Sequence, residues 1–153
     1  MPSPMRRHVV ALDGSPCSVS ALRRGVTEAS AAGTELLALH VIPETLANDP
    51  AHRIAGEAMM DALVDAALGG RPLASVGKEI AYGHPAEVIV DRTGETDLLL
   101  IGAAFTGAPF DGSTVAAVLR GRRCPVLVCS SPDLSDRMSW AVRLPARRPA
   151  WHR

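Results

Sequence analysis

The chain has 153 residues, a length that suits a single domain, with nearly half of them apolar and only 3% aromatic. Its formal net charge is zero, which excludes a global field that would recruit nucleic acid or an anionic membrane surface. Three cysteines (Cys17, Cys124, Cys129) are too few and too irregularly spaced for a disulfide framework or a metal site, and no apolar run approaches the roughly 18 residues of a membrane span.

The first predicted element is a strand over His8–Leu12, closed by the turn Asp13-Gly14-Ser15-Pro16. Ser15 followed by Pro16 reads as the cap and first residue of a helix that runs to about Ala32, with Gly33 as a left-handed stop. Leu36–Ile42 reads as a second buried strand ended by Pro43. Ala51–Leu68 follows as a helix with Ile54, Ala58, Leu63 and Ala67 as its apolar stripe, stopped by Gly69-Gly70. Val76–Tyr82 alternates as an edge strand does, and Pro85 begins a short helix carrying Val88, Ile89 and Thr93. Asp97–Gly102 is the clearest buried strand of the chain. Gly112-Ser113-Thr114 opens a helix through Leu119, and Pro125–Cys129 is a last strand.

Strands alternating with helices imply right-handed crossovers, and so an α/β fold: a doubly wound, five-stranded parallel sheet of Rossmann-like type with helices on both faces. In such sheets ligands sit beyond the carboxyl ends of the strands, where the strand order reverses. That rule points to Asp13–Pro16, Val41–Pro43 and Gly102–Ser113. Residues 1–130 form the expected domain, and 131–153 read as a flexible tail with five arginines against two aspartates, a local balance of +3.

The stretch from Ile101 to Thr114 links a buried strand to a helix start, where unpaired backbone N–H groups and the helix dipole can hold an anion. Two well-known phosphate loops fail here. Gly107-x4-Gly112-Ser113 has the P-loop glycine spacing but no lysine, and the first strand ends in Asp13-Gly14-Ser15 instead of Gly-x-Gly-x-x-Gly. On residue chemistry alone two readings stand: a phosphate-holding loop, or a turn whose glycines permit a helix capped by Ser113.

Val9-Val10-Ala11-Leu12-Asp13-Gly14-Ser15, Leu36–Ile42, Tyr82-Gly83-His84-Pro85-Ala86, Asp97–Gly102 and Gly112-Ser113 followed by Cys124-Pro125-Val126-Leu127-Val128 occur in an order that resembles the universal stress protein family. The resemblance covers about residues 6–130 and implies the adenine nucleotide alpha hydrolase-like version of the fold. It also implies a stress-response module that binds ATP, with Mg2+ accompanying it, as a regulatory ligand. Carried across, Asp13 and Val41 are base-side residues, and Gly102, Gly112, Ser113 and Thr114 are phosphate-side residues, with Gly107 standing in for a second loop glycine. The family's nucleotide-binding branch has Gly-x2-Gly-x9-Gly-Ser/Thr. Here Phe105 stands at the second glycine, and six residues, not nine, separate it from Gly112. The alternative is a dimeric scaffold or adaptor of the same fold that binds no nucleotide and offers its basic tail to a protein partner.

Catalysis is not expected beyond slow ATP hydrolysis, because His40 and His84 pair with no obvious nucleophile. His40 reads as a satisfied strand histidine, and Cys17, at the start of a helix, as small-residue packing. The resemblance further implies a homodimer through Val126–Cys129, an apolar strand whose edge would need a partner. No nucleic-acid or membrane partner is expected, and the cytoplasm is the expected compartment.

Overall fold

The structure, a computed structural model, describes residues 6–73, 75–103, 112–130 and 141–146. In chain order it runs β1 (Arg7–Ala11), α1 (Pro16–Ala32), β2 (Glu35–Ile42), a 3-10 turn (Glu44–Leu46), α2 (Pro50–Leu68) and β3 (Val76–Tyr82). It continues with α3 (Pro85–Arg92), β4 (Asp97–Gly102), α4 (Gly112–Gly121), β5 (Val126–Cys129) and β6 (Ala141–Leu144). The sheet order is β3-β2-β1-β4-β5-β6, and the first five strands are mutually parallel. The expected doubly wound sheet is therefore present, and its order reverses between β1 and β4.

Period-two alternation along the strands splits the core between the two faces. Val10, Leu12, Leu36, Leu98 and Leu100 pack with Leu22 and Val26 of α1 and with Met60 and Val64 of α2. Val9, Ala11, Leu39, Leu99 and Ile101 pack on the other face with Ile89 of α3 and Val118 of α4. All six residues of β4 are buried, as expected for the central strand of a sheet covered on both sides. Each such Leu or Ile contributes roughly 1.5–3 kcal/mol relative to exposure.

The helix punctuation follows the sequence. Ser15 caps α1 by accepting from the Ser18 N–H, Pro16 takes the first turn, and Gly33 closes the helix at φ 66°. The α2 stripe matches the expected one in part, since Leu63 and Ala67 pack against the core. Gly56, Met60 and Val64 are buried, whereas Ile54 is 66% exposed and Ala58 faces solvent. Gly56 comes close to the sheet, where a Cβ would stand 3.0 Å from His40 Cδ2, and Met60 and Val64 continue the same buried face.

A half-buried ion pair ties the amino ends of the central strands. Asp97, only 5% exposed, accepts from Arg7 Nε (3.1 Å) and Nη2 (3.3 Å) and from the Gly94 N–H (2.8 Å).

The chain after Ser130 departs from expectation. Ala141–Leu144 pairs antiparallel with β5, so a sixth strand is drawn from the segment read as a flexible tail. Residues 131–140 and 147–153 lie outside the described residues. The β5 edge, through which a homodimer is expected, carries the chain's own β6.

Candidate functional site

The site is built at the carboxyl ends of β1, β2 and β4, around the point where strand order reverses. After β1, Leu12 still donates its N–H to the Leu39 carbonyl (2.8 Å), and the chain then turns at Gly14, φ 85°. Asp13 closes this turn. Its Oδ1 accepts from the Ser15 N–H (2.8 Å) and from Ser15 Oγ (2.5 Å). Ser18, fully buried, accepts from the Asp13 N–H (3.3 Å) and donates to the Ser15 carbonyl (2.9 Å). Asp13 is thus part of the capping of α1, the local role of aspartate in such turns. The sulfur of Met59, from α2, lies over Gly14, 2.8 Å from where a Cβ would be.

β2 outruns β1. Pairing with β1 ends at Leu39, while Val41 and Ile42 continue to pair with β3. Val41 therefore carries its backbone past the end of β1 beside the Asp13 turn, with its side chain buried. His40 bridges the gap: its Nδ1 lies 2.8 Å from the Leu12 carbonyl and donates to it. That bond puts the ring proton on Nδ1 and bears out the reading of His40 as a satisfied strand histidine. His84, by contrast, is an exposed residue at the start of α3 with no side-chain capping bond.

Gly102 ends β4 directly against α1. A Cβ there would meet the Cys17 carbonyl carbon at 2.4 Å, the Ser18 nitrogen at 2.6 Å and Cys17 Cβ at 2.7 Å. Only glycine lets the strand end pass under the first turn of the helix. Ala103 then donates to the Cys129 carbonyl (2.8 Å), which holds the loop's first residue to β5. The loop itself, residues 104–111 with Phe105 and Gly107, lies outside the described residues. Gly112 and Ser113 open α4, and Thr114 is buried in its first turn.

The structure brings Asp13 and Gly102 to one helix start, while Val41, on the strand beside β1, packs on the opposite face of the sheet. It sets Gly112, Ser113 and Thr114 at a second helix start, reached from the same strand end. Sequence reasoning missed Ser18 and Met59. Ser18 could have been found three residues beyond the Ser15 cap, where a side chain can reach back to the turn. Met59 belongs to a distant helix and left no local signal.

Cys17 sits where the helix dipole would lower a thiol pKa, yet burial pushes the thiol up and Asp13 adds to the rise. The Cys17 side chain is buried at the start of α1. Burial also raises the Cys124 thiol and pushes Cys129 up to about 11. Among the described residues no cluster of three or more His, Cys, Asp or Glu could hold a metal ion, and no helix is long and apolar enough to cross a membrane.

The sequence model of the universal stress protein family matches residues 5–130. Universal stress proteins of Mycobacterium bovis and Mycobacterium tuberculosis are 28% identical over 153 aligned positions, which cover 87% of this chain and 51% of each relative. The chain thus spans about half the length of the curated relatives it matches. Among solved structures, the universal stress protein of Archaeoglobus fulgidus in complex with dAMP superposes with a TM-score of 0.65 at 20% identity, over 84% of this chain and 98% of that one. A universal stress protein in complex with cAMP gives 0.63 at 22% identity, over 82% and 97%. The protein UspA from Lactobacillus plantarum gives 0.58 at 24%, over 82% and 98%. At these identities the structural likeness establishes the fold.

Proposed function

The chain belongs to the universal stress protein family, and from that premise we propose that it is a stress-response module holding an adenine nucleotide as a regulatory ligand. The observation that carries this reading is the convergence of the Asp13 turn, the overrunning end of β2 and the Gly102 strand end at the reversal of strand order. The base would lie beside Asp13 and Val41. The phosphates would lie at the α4 start, where the backbone N–H groups and hydroxyls of Gly112, Ser113 and Thr114 would hold them, with Gly107 in the loop before them. Mg2+ would arrive with the phosphates. Related proteins solved with dAMP and cAMP support the ligand class. Three buried free cysteines suit a reducing compartment, and the cytoplasm is the proposed location.

The test is titration calorimetry of ATP with Mg2+ against the wild-type chain and Ser113→Ala. Saturable binding, weakened about 10- to 100-fold by loss of one hydrogen bond to a charged phosphate, is the expected result. A second reading is favoured by one observation: Asp13 and Gly102 each serve the start of α1. On that reading the chain is a scaffold or adaptor without nucleotide, with its basic C-terminal residues meeting a protein. No heat and no thermal stabilisation at millimolar ATP would overturn the nucleotide reading and leave this one.

A further inference from the structure

An edge strand presents a row of unpaired N–H and C=O groups, and an apolar one invites pairing with another chain. β5 is such a strand by sequence: Val126, Leu127 and Cys129 are all buried. Its edge is closed by a four-residue antiparallel ladder, with Val126 opposite Leu144, Leu127 opposite Arg143, Val128 opposite Val142 and Cys129 opposite Ala141. A second tie lies just beyond β6. Arg122, after the last turn of α4, donates from Nε to the Pro145 carbonyl at 2.9 Å, while another of its nitrogens bonds the Leu119 carbonyl. The return strand is thus clasped both to the sheet and to the end of α4.

We propose that β6 is a self-capping strand: it fills the strand-accepting edge of β5 within the same chain and keeps that edge from pairing with β5 of a second copy. The inference does not depend on nucleotide binding. Eleven residues (130–140) join β5 to β6, and a connection this short sets an effective concentration on the order of millimolar. Pairing within the chain therefore outcompetes pairing between chains at micromolar protein. The antiparallel sense also matters. A second copy's β5 approaching across a two-fold axis would need the same antiparallel edge, so the two occupants exclude each other.

The test compares the full 153-residue chain with Val142→Pro/Arg143→Pro by sedimentation velocity at about 50 μM, far below the effective concentration of the tethered strand. Neighbouring residues of a strand point their N–H groups to opposite sides, so one of the two prolines removes a ladder donor whichever face is paired. A monomeric wild type and a dimerising variant are expected. A wild type that is already dimeric, or a folded variant that stays monomeric, would overturn the proposal. Hydrogen exchange on the wild type decides independently of the variant's folding: amides within 141–144 should be protected in the monomer, and Arg122→Ala should lower that protection about three- to tenfold. Full-speed exchange across 141–144 would equally overturn it.

Discussion

Replacing Gly102 with alanine adds one methyl group where the structure has no room for it. The new Cβ would lie 2.4, 2.6 and 2.7 Å from three atoms of Cys17 and Ser18. Heavy atoms in contact prefer about 3.5–4.0 Å, so each approach is short by roughly 1 Å. Two of the three atoms are backbone, and no rotamer change can relieve them. Relief requires α1 to move away from β4, and α1 carries Ala21, Leu22, Val26 and Ala29 into the core. Overpacking costs typically 1–3 kcal/mol, and a clash against helix backbone belongs at the top of that range, about 3 kcal/mol. For a chain of this size that lowers Tm by roughly 6–12 °C. Gly33→Ala is the control: its φ of 66° is strained for alanine, but nothing lies within 4 Å of the added atom, so the cost is about 1–2 kcal/mol. Urea unfolding followed by circular dichroism, without ligand, measures both. A Gly102→Ala chain within about 1 kcal/mol of wild type would refute the claim that this glycine serves the seating of α1.

Asp97→Ala should cost about 2–3 kcal/mol in the same assay, because it removes a buried carboxylate that holds Arg7 and the Gly94 N–H; Asp97→Asn, which keeps an acceptor oxygen, should cost less. Ser15→Ala should destabilise by about 1 kcal/mol through loss of the α1 cap, read as a small shift of the urea midpoint. Burial raises the Cys129 thiol from 9.0 to about 11 in the folded chain, so above pH 9 the unfolded state binds fewer protons and stability falls as pH rises towards 11. That limb amounts to roughly 2–3 kcal/mol from this group. Cys129→Ala should therefore lose less stability than wild type between pH 8 and pH 10.5, and equal losses would contradict the assignment.

Much of the fold was legible because its signals are local. Ser15-Pro16 and Gly33 bracket α1 through backbone preferences that need no tertiary partner, and the unbroken apolar run Leu98–Ile101 can satisfy only a strand buried on both faces. The failures are non-local. Ile54 and Ala58 fit a helical period, yet the buried face of α2 runs through Gly56, which comes close to His40, a residue far from it in sequence. Asp97 reads as the first residue of a strand, and nothing local reveals that Arg7, ninety positions earlier, neutralises it. β6 is four residues long, too short for alternation to register, and its strand character comes from the β5 edge it covers. For the site, the loops around the reversal of strand order were legible from topology and the local turn role of Asp13 from its residue type, while the contact of Gly102 with α1 was not.

These two structural roles change which experiments can speak about function. A glycine is required at the end of β4 because the first turn of α1 passes 2.4 Å from where a side chain would begin, whether or not a phosphate ever approaches. Asp13 is held by Ser15 to shape the same turn. Substituting either residue disturbs the start of α1 first, so lost nucleotide binding in those variants would follow equally from a nucleotide site and from a damaged scaffold. Ser113 opens a different helix, α4, on the far side of the loop. A Ser113→Ala chain with unchanged Tm and weakened ATP binding isolates the phosphate contact from the architecture, and that separation makes it the decisive substitution for the two functional readings.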